Sequence, residues 1–148
     1  MARYLGGGGI WMKKRYDWTS GKGYKSMIYM HLIFSIKYRR NVVFNDVGDY
    51  LREIFAEVLK EFSSELIEFG VDGDHVHILI KIPPNLNLSE LVKILKGRSS
   101  FLVQKRFSRE LASRRLWGKF WSPSYCAMSC GGAPLDVIKS YVENQGKH

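Results

Sequence analysis

The sequence predicts an α+β fold of the ferredoxin-like split βαβ kind: an RRM-like antiparallel sheet with helices on one face, plus an extra C-terminal helix. Three observations carry this expectation. Short apolar runs alternate with a period of two, as half-buried strands do. Longer stretches repeat at i, i+3, i+4 and i+7, as amphipathic helices do. The two kinds then follow one another as strand, helix, strand, strand, helix, strand. A length of 148 residues suits a single domain with a normal core.

Residues 1–26 are rich in Gly, Lys, Arg and aromatics and follow neither period, so they are expected to form a mobile basic arm ahead of one domain over 27–148. The first strand runs from Tyr29 to Tyr38. Met30, Leu32, Phe34 and Ile36 alternate onto one face, and His31, Ile33, Ser35 and Lys37 onto the other; His31 reads as structural rather than as a metal ligand. Asp46 is placed to cap the first helix, whose stripe is Val47, Tyr50, Leu51, Ile54, Phe55, Val58, Leu59 and Phe62. A second strand over Glu65 to Val71 turns through Gly70–Asp74 into a third that begins at His75.

Asn87 and Glu90 make a capping box for the second helix, with Leu88, Leu91, Val92 and Leu95 inward and Lys93, Lys96 and Ser100 outward. The stretch from Ser122 to Ser129 reads as the last strand, and Gly131-Gly132 breaks the chain before a helix from Leu135 to about Gln145.

Lys and Arg number 23 against 14 Asp and Glu, a formal charge of +9, which suits a polyanionic partner and nucleic acid first. No apolar stretch is long enough to cross a bilayer. Cys126 and Cys130 in an extended segment would hold their Cα atoms about 13 Å apart, too far for a disulfide. Two reduced thiols and an N-terminus without the apolar core of a signal peptide lead us to expect a cytoplasmic protein.

The chemistry begins at Asp74-His75-Val76-His77-Ile78-Leu79-Ile80. Residues two apart in a strand share a face with Cβ atoms roughly 6–7 Å apart, so both imidazoles can meet one metal ion while Val76, Ile78 and Ile80 pack behind. The pair alone does not separate a ligand set from a core strand. In the last helix, Tyr141 and Gln145 are four residues apart and lie on one face. The phenol can act as a nucleophile, and the amide oxygen is a hard neutral ligand. Two imidazoles and an amide oxygen suit Mg²⁺ or Mn²⁺ better than a closed zinc site. Taken alone, Tyr141 also reads as a packed helix tyrosine.

Five segments then occur in order: His31–Arg40, Asp74–Ile80, Leu95–Ser100, Phe120–Tyr125 and Tyr141–Gln145. Together, over about residues 28–146, they closely resemble the HUH (His-hydrophobe-His) single-tyrosine transposases of the smallest prokaryotic insertion sequences, the TnpA type. The resemblance implies that His75 and His77 bind the metal, Gln145 completes the site and Tyr141 is the nucleophile. It implies cutting and rejoining of single-stranded DNA through a 5′-phosphotyrosine link, without a nucleotide cofactor. It also implies recognition of hairpins near element ends by a homodimer whose sites are completed in trans. Phosphate contacts are expected from Lys37, Arg39, Arg40, Lys93, Lys96, Arg98, Lys105 and Arg106, and base stacking from Trp117 and Trp121. Three rival readings stand beside this one: a domesticated repeat-associated tyrosine transposase, a non-catalytic RRM-like module, and a metal-dependent hydrolase.

Overall fold

The computed structural model describes residues 18–21, 23–40, 43, 45–130 and 138–140. The elements are β1 (Thr19–Gly21), β2 (Tyr24–Ser26), β3 (Ile28–Ile36), α1 (Asn45–Glu61), β4 (Glu65–Asp72), β5 (His75–Ile82), α2 (Leu88–Arg106), α3 (Ser108–Ser113) and β6 (Trp121–Ser129). Four of the strands form an antiparallel sheet in the order β4-β5-β3-β6. This is the expected split βαβ plan.

Alternation decides which face is dry. Leu32, Phe34 and Ile36 of β3 and Val76, Ile78 and Ile80 of β5 are fully buried, against Val47, Leu51, Phe55, Val58 and Leu59 of α1 and Leu91, Leu95 and Val103 of α2. Burying each such side chain is worth about 1.5–3 kcal/mol, so this one face holds most of the fold's stability. The Asn87 side chain caps α2 as expected, its Oδ1 accepting from the Glu90 N–H at 3.1 Å. Asp46 does not cap α1: the helix already begins at Asn45, and Asp46 sits in its first turn, where a carboxylate favours the positive end of the helix dipole.

Two further expectations change. Thr19–Gly21 and Tyr24–Ser26, expected to lack regular structure, pair as the β1–β2 hairpin, with Gly23 at φ +82°; residues 1–17 and 22 of the arm lie outside the described residues. The first strand ends at Ile36, and Lys37–Arg39 form a short 3₁₀ turn with Tyr38 at φ 60°. That ending is fixed by the sheet's neighbours: the Ile36 N–H donates to Asp74 O at 2.8 Å and the Lys37 N–H to Phe120 O at 2.9 Å. Lys37 therefore lies outside the strand.

β4 and β5 are joined by only Gly73 and Asp74, with Asp72 paired to His75. Gly73 has φ +62° and Asp74 does not share a positive φ, the pattern of a type II′ hairpin turn, which demands glycine at its first central position. A two-residue turn leaves no slack, so it sets the register of His75 and His77.

Candidate active site

The register places three rows of residues across the sheet face opposite the helices. Asp72, His75 and Ser35 form one row. Gly70, His77, Ile33 and Cys126 form the next, and Glu68, Leu79, His31 and Met128 the third. Residues directly opposite in an antiparallel sheet share a face. His75 and His77 are therefore neighbours on one surface, as the strand period requires, and His31 joins them from β3.

His77 lies between its flanking strands. On the β4 side is Gly70, where an added Cβ would run into Nε2 and Cε1 of the His77 ring. On the β3 side the His31 ring meets it edge-on, with centroids 5.7 Å apart. His31 is 1% exposed, and neither of its ring nitrogens has a hydrogen-bond partner; the buried Nδ1 of His77 also lacks one. Sequence reasoning placed His31 on the right face but gave it no part here, because periodicity fixes a face and not a register.

Carboxylates line the other side of the pair. His75 Nδ1 lies 3.3 Å from Asp74 Oδ1, and its Nε2 lies 3.7 Å from Asp72 Oδ2. Asp74 is the nearer partner and can orient the ring through Nδ1, while Asp72 stands beside Nε2, the nitrogen that would face a cation. Burial, and then the charge of His75, pull the His77 pKa below the ordinary 6.5, with Asp72 and Glu68 pulling the other way. His31 is lowered by burial and then by His77. Neutral rings, an unpartnered buried nitrogen and nearby carboxylates fit a divalent cation. Among the described residues, however, no three His, Cys, Asp or Glu side chains stand close enough to hold one. A further ligand is needed, and Gln145, expected in that role, lies outside the described residues, as does Tyr141.

The lowered imidazole pKa values have a thermodynamic consequence. Just below pH 6.5 the unfolded chain takes up protons that the folded chain refuses, so stability falls with falling pH through that window. Without added metal, the melting temperature should hold steady above about pH 7 and drop between about pH 6.5 and 5. His31→Phe, which keeps an aromatic ring but removes one of the titrating groups, should flatten part of the drop. A melting temperature level across that range would contradict the burial of neutral imidazoles.

The C-terminal helix reaches this same face. Its described turn, 138–140, buries Ile138 against Tyr29 and Leu79, and Lys139 Nζ lies 3.5 Å from Glu68 Oε1. Tyr141 follows Ile138 by three residues, a reach of at most about 11 Å. The histidine pair and the chain that carries the tyrosine are thus brought to one side of the sheet.

The expected DNA contacts divide. Lys93, Lys105, Arg40 and Arg106 are exposed, Arg106 with its guanidinium 4.5 Å from the Tyr50 ring centroid. Trp117 is 64% exposed and available for stacking. Lys37 is half-buried with Nζ 5.0 Å from the Tyr38 ring, and the Arg39 side chain is outside the description.

The structure gives three of these residues intramolecular partners. Trp121 is 4% exposed; its ring packs against Phe34, Phe55 and Phe120, and its Nε1–H donates to Ser99 Oγ at 2.8 Å, so it is a core residue with its one donor satisfied. Lys96 turns inward, its Nζ donating to Ser122 O at 2.7 Å and Ser124 O at 3.1 Å, with burial pulling its pKa down. It clips β6 to α2. Arg98 forms a two-pronged ion pair with Glu61, including a 3.1 Å contact, which ties α2 to α1 and occupies the guanidinium.

The face also speaks against a stacking module. An RNA-reading sheet of this topology presents exposed aromatics on its central strands. Here the exposed large hydrophobics among the described residues are Tyr24, Tyr38, Val71, Phe101, Trp117 and Tyr125, none of them on β3 or β5.

Comparison with known proteins places the chain in a family. The family model described as "Transposase IS200 like" matches residues 24–145. The chain is 32% identical over 130 residues to the ISDra2 transposase TnpA of Deinococcus radiodurans, a match covering 87% of this chain and 91% of that one. It is 26% identical over 115 residues to the transposase for insertion sequence element IS200 of Salmonella typhimurium, covering 78% and 74%. A crystal structure of a Deinococcus radiodurans protein assigned as a transposase superposes with TM-score 0.69 at 32% identity, over 86% of this chain and 97% of that one. A REP-associated tyrosine transposase bound to a REP hairpin shares the fold, with TM-score 0.58 at 12% identity over 84% of this chain and 68% of that one.

Proposed function

Since the chain belongs to the IS200-like transposase family, we propose that it cuts and rejoins single-stranded DNA at insertion-sequence ends through a covalent tyrosine ester. Tyr141 is the nucleophile. His75, His77 and Gln145 are the ligands of a divalent cation, Mg²⁺ or Mn²⁺. The observation that carries this reading is the convergence of two chain segments on one sheet face: the histidine pair of β5, and the helical turn at Ile138 that precedes Tyr141.

In the cleavage step the Tyr141 oxygen attacks a backbone phosphorus in line. A P–O(Tyr) bond forms, the P–O3′ bond breaks, and the phenol proton is matched by the one gained at the departing 3′-hydroxyl. A free phenol has a pKa near 10, so its attack at neutral pH needs a cationic setting, which the chain's +9 charge favours. The cation, when bound, supplies a Lewis acid and a template for the scissile phosphate. Rejoining is the reverse attack by another strand's 3′-hydroxyl, and it draws on the ester rather than on ATP. A hydrolase would release DNA ends with no protein attached, and the two outcomes are readily told apart on a denaturing gel.

The partner class follows from the charge and from the relatives. The REP-associated enzyme that shares this fold was solved on a hairpin, which supports hairpin-bearing DNA as the substrate here. The second copy in a homodimer is supported by β6, an edge strand whose stretch after Pro123, Ser124–Ser129, includes no Lys, Arg, Asp or Glu and is mostly exposed. Uncharged open edges pair with another chain unless something blocks them. We also propose that the two active sites are completed in trans, Tyr141 of one subunit serving His75 and His77 of the other.

The direct test is incubation with single strands from the DNA flanking the gene, plus Mg²⁺ or Mn²⁺. A covalent protein–DNA adduct should appear, and EDTA should abolish it. Fully paired duplex should not be cut. His75→Ala with His77→Ala should also lower Mn²⁺ affinity by about 100-fold or more, read by calorimetry on the DNA-free protein. Adduct formed at full rate in EDTA would remove the metal from the mechanism.

A further inference from the structure

Two of the five ordered segments, Leu95–Ser100 and Phe120–Tyr125, take no part in the catalytic constellation, yet they meet at one cavity. It holds about 430 Å³ and lies between α2 and the start of β6, with Gly97, Ser100, Phe101, Gln104, Lys119 and Pro123 among its lining and no carboxylate there. Phe101 is 66% exposed, an unusual cost for a large ring on a helix. Gln104 is held in place, its Nε2 donating to Ser100 Oγ at 2.7 Å and to Ser100 O at 3.1 Å.

Gly97 is the more telling residue. It sits in the middle of the 19-residue α2, where glycine is the worst helix former after proline. No described neighbour explains it: a Cβ added there would meet nothing within 4 Å. A bare helix backbone facing a cavity, without internal packing to require it, makes room for something from outside.

We propose that this cavity is a subsite for one unpaired nucleotide of the DNA strand. The base stacks on Phe101 against Pro123, over the bare backbone at Gly97, and the adjoining phosphate meets Lys119. Sheet geometry connects the subsite to the active site: Trp121 pairs with Ile36, next to Ser35, which lies opposite His75. The cavity lies on the helix side of the sheet, so a strand leaving the histidine face reaches it by rounding the β6 edge. The proposal rests on the transposase reading for the identity of its ligand, and on the cavity for its position.

Gly97→Ala and Gly97→Leu separate ligand from fold, because binding should fall without a loss of stability. Gly97→Ala should raise the melting temperature by about 3 °C, as an exposed helical glycine does when replaced. Gly97→Leu should fold normally and bind labelled single-stranded DNA about tenfold more weakly, and Phe101→Ala should do the same through lost stacking. Lys119→Ala should reduce the slope of log affinity on log salt by about 0.7, the value for one single-strand phosphate contact. Binding to fully paired duplex should not respond to Phe101→Ala. If wild-type protein forms the covalent adduct and Gly97→Leu, Phe101→Ala and Lys119→Ala all bind single strands like wild type, the subsite is wrong. Should Gly97→Leu not fold, Phe101→Ala and Lys119→Ala decide it. If wild type binds single strands without forming an adduct, the transesterification reading fails while the cavity variants still judge the subsite by affinity.

Discussion

Tyr141→Phe is expected to bind single-stranded DNA like the unaltered chain and to form no covalent adduct, a loss on the order of 10³-fold or more, as when any covalent nucleophile is removed. The substitution deletes one oxygen and keeps the ring, so packing and charge are preserved. The competing tyrosines are disfavoured by their positions. Tyr125 is 41% exposed, but it pairs with Phe34, whose side chain points into the helix-covered core. Its ring stands 6.5 Å from that of Phe34 and 5.9 Å from Lys96 Nζ, on the side of the sheet away from His75 and His77. Tyr29 is 1% exposed and packs with Leu79 and Ile138. Tyr38 is 65% exposed and follows the end of β3, so Tyr38→Phe belongs beside Tyr125→Phe as a control. The adduct is read as a protein band that carries labelled DNA through denaturing electrophoresis. Persistence of that band in Tyr141→Phe, or its loss in either control, would move the nucleophile elsewhere.

Most of what positions this site was legible as periodicity. The alternation in β3 and β5 sorts Leu32, Phe34, Val76 and Ile78 to the core and the histidines to the open face, and the structure keeps that division. Alternation carries no register, however. The approach of His31 to His77 and the bare Gly70 beneath the ring depend on which residues pair across strands, and the two-residue turn at Gly73 and Asp74 sets that pairing for β4 and β5.

Side-chain direction at the ends of elements was the other thing hidden. Trp121 sits beside a basic stretch and looks like a stacking surface, but it opens β6, and its position opposite Ile36 turns it into the core. Buried Ser99 satisfies its indole N–H. Lys96 and Arg98 look like outward cations by helical period. A long side chain folds back when a strand end offers carbonyls, as Ser122 and Ser124 do, or when a neighbouring helix offers a carboxylate, as Glu61 does. The β1–β2 hairpin was missed because three-residue strands show no period; its signal was the glycine spacing at Gly21 and Gly23.

Mixing two inactive chains should restore cleavage if the sites are completed in trans. One chain carries His75→Ala with His77→Ala, the other Tyr141→Phe, and each alone should be dead. In a mixed dimer one site then joins intact histidines to an intact tyrosine from the partner, so random assortment returns about a quarter of the wild-type sites. In the single chain the turn at Ile138 packs on its own sheet. That packing does not oppose the exchange. A symmetric partner offers Ile138 the same Tyr29 and Leu79 surface and offers Lys139 the same Glu68, so the helix docks equally well on either sheet. The balance is then set by the segment at Gly131-Gly132, outside the described residues, and by how close the partner stands. If heterodimers are verified by mass and no adduct forms, Tyr141 serves the histidines of its own chain. The chemistry at His75, His77 and Tyr141 would stand, and the dimer would need a different reason, the uncharged β6 edge being the one available.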